Sequence, residues 1–98
     1  MRPTIGDVDA AVLLDIELSA IMHREKFTRD PGPVIAALRE RAGAATEQLN
    51  RSVGAWVGFY DTDDTRALCV GLLEAFPGAR RYVSVGAEAR FRRVHGTG

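Results

Sequence analysis

Ala55-Trp56-Val57-Gly58-Phe59-Tyr60-Asp61-Thr62-Asp63-Asp64-Thr65, AWVGFYDTDDT, is the stretch on which the fold turns. Its first six residues are rich in aromatics and long enough for a short strand. Its last five hold three aspartates, which suit the entry to a helix. Asp61 or Thr62 would cap it, and Asp63 and Asp64 would fall in the first turn, where the helix dipole favours anions. Downstream, Leu68, Leu72, Ala75 and Phe76 line one side of a helix at about 62–76, which Pro77-Gly78 ends. Arg81-Tyr82-Val83-Ser84-Val85 has strand composition. Gly86 then turns the chain back into Arg90–Val94 as a hairpin, or residues 86–94 form a short helix instead.

Upstream, Thr28-Arg29-Asp30-Pro31-Gly32-Pro33 is the clearest break in the chain. Before it, a first helix spans roughly 7–26, with Ala11, Leu14, Leu18, Ile21 and Met22 on one face. Val12, Leu13 and Ile16 widen that face past a single stripe, so this helix needs two neighbours. After the break, Ile35, Leu38, Ala42, Ala45, Leu49 and Val53 recur at helical spacing, with Asp30 as N-cap and Gly43 as the one candidate interruption. The expected fold is therefore α+β and mainly helical. It has two long N-terminal helices, a third at about 62–76 and a small C-terminal β element. It forms one domain over 1–98, with 95–98 frayed.

Composition bounds the function. The 98 residues balance 13 basic against 13 acidic side chains, so no overall field favours nucleic acid or a membrane surface. The distribution is uneven. Residues 1–50 carry six Lys/Arg and eight Asp/Glu, a net −2, and residues 51–98 carry seven against five, a net +2. Lys26 is the single lysine beside twelve arginines, a bias typical of GC-rich bacterial or phage genomes. Cys69 stands alone in an apolar run and reads as a small buried hydrophobe. With no signal peptide and no membrane-length apolar run, the expected location is the cytoplasm, or a particle assembled there.

The motif Asp61-x-Asp63-x-Thr65 resembles the first motif of the haloacid dehalogenase phosphatases. The resemblance implies Asp61 as nucleophile, Asp63 as acid–base residue and magnesium between them. Those enzymes also need later Ser/Thr, Lys and Asp residues. After Thr65 the chain holds no Asp and no Lys, and its only acids are Glu74 and Glu88. The aspartates are accordingly read as a helix cap, and no enzyme activity, cofactor or metal is expected. His23 and Glu25, near Ser19 and Asp15 on the first helix, are too few for a zinc site, and His95 lies at the far end of the chain.

Leu38-Arg39-Glu40-Arg41-Ala42-Gly43 followed by Thr46-Glu47-Gln48-Leu49-Asn50-Arg51-Ser52-Val53-Gly54 resembles the opening of lambda-repressor/Cro-type helix-turn-helix domains. That resemblance implies DNA binding, with a recognition helix next. Ala55–Tyr60 offers no Arg, Gln, Asn, Ser or Thr to read base edges. Pro3-Thr4-Ile5-Gly6-Asp7-Val8 before an apolar helix is loosely similar to the small helical connector proteins of tailed-phage particles. The function expected is a non-enzymatic interaction or assembly module, whose partner is another protein or further copies of the chain. A DNA-binding regulator or antitoxin-like protein is the alternative. The candidate contact residues are the acidic Asp7, Asp9 and Asp15 and the basic Arg80, Arg81, Arg90, Arg92 and Arg93, with Trp56, Phe59 and Tyr60 as an aromatic patch.

Overall fold

A computed structural model describes residues 16–42 and 46–95. Within them the chain forms α1 (16–24), α2 (Gly32–Ala42), α3 (Thr46–Tyr60), α4 (Arg66–Ala75), a 3-10 helix (Pro77–Tyr82) and α5 (Val83–His95). No strand occurs among the described residues, so the expected α+β fold with a C-terminal β element is corrected to an all-helical one.

The strand expected over 55–60 is the second half of α3. Its aromatic and β-branched composition misleads, because the helical period set by Leu49 and Val53 runs on through Trp56 and Val57, and all four are buried. The strand expected over 81–85 falls in the 3-10 helix and the start of α5, and of the two readings of 86–94 the helix is the one observed. Pro77 opens the 3-10 turn, and Gly86, expected as a turn, is the one buried residue of α5. The second long helix is in fact two helices, α2 and α3, and residues 43–45 with Gly43 lie outside the described ones. The expected 62–76 helix starts later, at Arg66. Of the first helix, 7–15 lies outside the described residues, and the described part ends in a turn at 25–27.

Local chemistry sets these boundaries. The Gly32 amide donates to the Asp30 side chain at 3.0 Å, which satisfies an otherwise orphaned N–H at the start of α2. The helix expected to be capped by Asp61 or Thr62 instead has Thr65 at its N-cap position. The Thr65 hydroxyl donates to the Tyr60 carbonyl at 2.6 Å and accepts from the Thr62 amide at 3.0 Å. Thr65 is buried, and its side chain makes no capping bond to α4. The hydroxyl thus closes the 61–65 turn by holding the last carbonyl of α3, while the aspartates stay outside.

The core gathers one face of every α-helix except α5. Leu18, Ile21 and Met22 come from α1, Val34 and Leu38 from α2, Leu49, Val53, Trp56 and Val57 from α3, and Leu68, Cys69 and Leu72 from α4. Each large aliphatic side chain contributes about 1.5–3 kcal/mol by leaving water. Helix α3 is the axis of this packing. It touches α2, α4, the 3-10 helix and α5, and its Trp56 and Tyr60 rings meet the His23 ring of α1 at 5.8 and 4.5 Å.

Helix α5 joins by another route. It crosses α3 backbone to backbone through glycines. A Cβ on Gly58 would stand 1.9 Å from the Val83 carbonyl oxygen and one on Gly86 1.8 Å from that of Ala55; the 3-10 helix is approached in the same way, with a Cβ on Gly54 2.2 Å from the Ala79 carbonyl oxygen. Alanine is the better helix former by about 1 kcal/mol. At these positions it has no room, and overpacking against backbone costs about 1–3 kcal/mol. The clash should win. Gly58→Ala and Gly86→Ala are expected to lower stability by about 1–2 kcal/mol in urea unfolding. Gly78→Ala, whose Cβ meets only the movable amide end of Asn50, should stay within about 0.5 kcal/mol. A gain in stability at Gly58 or Gly86 would contradict this packing.

Candidate interaction surface

The candidate residues separate into buried, internally paired and outward-facing groups. Trp56 is a core residue, 5% exposed. Its indole Nε1 is buried without a hydrogen-bond partner among the described residues. Phe59 and Tyr60 are half-buried. Tyr60 packs against Trp56 at 5.0 Å and against Phe59 at 4.7 Å between ring centroids.

The two arginines of the 3-10 helix differ. Arg81 and the Tyr82 hydroxyl both donate to the Glu47 carboxylate, which fastens the 3-10 helix to the start of α3. The Tyr82 hydrogen bond, with Arg81 adding hydrogen bonding and charge, holds Glu47 below the usual carboxylate range, and Glu47 in turn raises Arg81. Arg80 is exposed.

The α5 arginines all face solvent. Arg92 pairs with Glu88 one turn back, Arg90 donates to the Asp61 carbonyl at 3.0 Å, and the Arg93 guanidinium lies 5.6 Å from the Phe59 ring centroid. The acidic candidates Asp7, Asp9 and Asp15 and the 3–8 motif lie outside the described residues.

The aspartates of the 61–65 turn are neutralised from one side. Arg66 Nε reaches Asp61 at 3.0 Å, and its Nη2 stands 4.0 Å from Asp63. Among the described residues, no three His, Cys, Asp or Glu side chains stand close enough to hold a metal ion. His23 packs between aromatic rings, and His95 is the last residue of α5, stacked on Phe91 at 4.1 Å. Cys69 is buried, and that burial pushes its thiol up from its ordinary value.

The largest exposed apolar side chains were not among the sequence candidates. Phe27, Phe91 and Val94 are 64, 62 and 69% exposed, and all three lie around the outer half of α5. From 87 to 95 every residue of this helix is exposed. A groove of about 340 Å³ runs along one flank, with Phe27, Phe59, Tyr60 and Val94 as its apolar wall and Lys26, Arg90 and Arg93 as its cations, against Asp64. A second groove of about 440 Å³ runs along the other flank, past Gly58, Ala87, Phe91 and Val94. The missed signal was the three-residue step from Phe91 to Val94 inside an arginine run. It marks a stripe only if the segment is helical.

No protein-family model, no curated protein and no solved structure matches the chain. Among the described residues no helix is long and apolar enough to cross a membrane.

The Glu47 fastening gives a pH signature. A carboxylate with a lowered folded pKa adds stability above its unfolded value, near 4.3 for glutamate, and loses that stability as pH falls through the folded value. Glu47→Gln should therefore melt below the wild type at neutral pH. The difference should shrink as the pH drops below the ordinary glutamate range, and thermal melts from pH 7 to pH 3 would show it. A difference that grows on acidification would contradict the fastening.

Proposed function

We propose that the chain is a non-enzymatic assembly module that docks a protein, or further copies of itself, through the outer half of α5. The supporting observation is the exposure of Phe91 and Val94 together on a helix that contributes almost nothing to the core. Side chains of this kind remain in solvent at a cost in a free domain, and grouped ones mark contact surfaces. The arginines around them supply the polar rim such contacts use.

A buried lone thiol fits a reducing compartment, so the module belongs in the cytoplasm or in a particle assembled there. A connector or accessory subunit of a tailed-phage particle is the narrower form of this proposal, and it rests on the loose similarity of Pro3–Val8. Asp61 and Asp63, tied to Arg66 at the surface, support no phosphatase reading.

Duplex binding is the second reading. The end of α2 at Ala42 and the start of α3 at Thr46 give it the right spacing. Against it, Trp56, Val57 and Gly58, where a recognition helix would begin, are buried along α3. Binding through the arginines alone would collapse steeply with rising salt.

Phe91→Asp tests the proposal. The residue is exposed, so the melting temperature should hold, while association followed by light scattering should weaken by about tenfold or more. Unchanged association would contradict the α5 surface. Tight, salt-sensitive duplex binding would favour the second reading.

A further inference from the structure

We infer that the occupant of the groove between Lys26 and Arg93, on the flank of α5 opposite Phe91, is the acidic N-terminal segment of a second copy of this chain, joined head to tail. The inference rests on the proposed α5 surface and names its partner. Three observations carry it.

The first is the character of the groove. Lys26 lies 5.1 Å from the Phe27 ring centroid and Arg93 5.6 Å from that of Phe59, each cation above an aromatic wall. Among the described residues neither cation has an acidic partner. The groove is therefore apolar within and, with Lys26, Arg90 and Arg93 against the single acid Asp64, net positive at its edge, which suits an apolar stripe flanked by acids.

The second is the sequence before α1. Residues 1–15 carry Asp7, Asp9 and Asp15 against Arg2 alone. Val8, Val12 and Ile16 follow one another at steps of four, the spacing of one helical stripe. Asp9 and Asp15 stand three residues to either side of Val12, the spacing that flanks such a stripe. The described end of this pattern is already turned outward, for Ile16 is 60% exposed while Leu18, Ile21 and Met22 fill the core. The second apolar side of the first helix thus has no cover at Ile16.

The third is direction. Glu17, at the start of the described part of α1, pairs with Arg41 at 3.4 Å, whereas Lys26 and Phe27, which line the groove, follow its other end. Ile16, where the described part of α1 begins, is at the opposite end of that helix from Lys26 and Phe27. A neighbouring copy can present its segment without a chain reversal. A contact between two different patches repeats, so it builds a ring or an open row rather than closing on a dimer.

A charge exchange in the full chain tests this. Asp9→Arg with Asp15→Arg, or Lys26→Glu with Arg93→Glu, should each weaken self-association about tenfold or more, because like charges then face each other. Mixing the two variants, or combining all four substitutions in one chain, should restore it, with circular dichroism showing every variant folded. Three outcomes would overturn the inference: a wild type that stays at the 10.7 kDa monomer mass at every concentration, loss without rescue, or N-terminal reversal without effect. If Phe91→Asp still abolishes association while N-terminal reversal does nothing, the α5 surface stands and only its occupant is wrong. If Phe91→Asp also does nothing, the surface itself fails.

Discussion

The close crossing of α3 and α5 is the constraint on which the rest of the structure depends. Gly58 on α3 and Gly86 on the partner helix leave so little space that an added Cβ would lie about 2 Å from a backbone carbonyl of the facing helix, and Gly54 makes the same close approach to the 3-10 helix before it. Two glycines thus do for α5 what aliphatic side chains do for the other helices. Backbone contact replaces side-chain burial, and it is local. It holds Val83–Ala87 and leaves the helix beyond them without a hydrophobic anchor.

That division explains why the large side chains of the outer half of α5 face solvent. A helix held by a full stripe would have its large side chains turned inward. Here the glycine crossing needs no such stripe, so Phe91 and Val94 remain outside with the arginines. The few ties of the outer half are polar or edge contacts, namely Arg90 to the Asp61 carbonyl and Arg93 over Phe59. The turn that bears Asp61 is itself kept in place by the Thr65 hydroxyl, which holds the end of α3. The aspartates therefore sit at the surface beside Arg66, and the residue that shapes the turn is the threonine after them.

Much of the core was legible. The period of Leu38, Leu49, Val53, Leu68 and Leu72 marks buried helix faces, and those residues are buried. The break at Thr28–Pro33 and the stop at Pro77 follow from backbone chemistry that acts over a few residues. The second half of α3 was misread because Trp, Val, Phe and Tyr in sequence favour a pleated surface by composition, while the helical period that overrules them begins several residues earlier. The strand reading of 81–85 fails, and of the two readings of 86–94 the helix holds, although Gly86 looks like a turn by sequence. Its purpose shows only against Ala55 across the crossing, a contact between residues far apart in sequence. The basic candidates of α5 are exposed, but Phe91, Val94 and Phe27 gather only once the fold brings the end of α1 beside α5.

The central claim is that α5 has a clamped inner half and an outer half kept free for a partner. Amide hydrogen exchange followed by mass spectrometry, on the wild-type chain when dilute and when concentrated, tests it most directly. The account predicts that 83–87 exchanges slowly at both concentrations, while 88–95 exchanges quickly when dilute and slows as association covers it. Exchange at 83–87 as fast as at 88–95 would contradict the glycine clamp, and a rate at 88–95 that ignores concentration would contradict its use as a contact between copies.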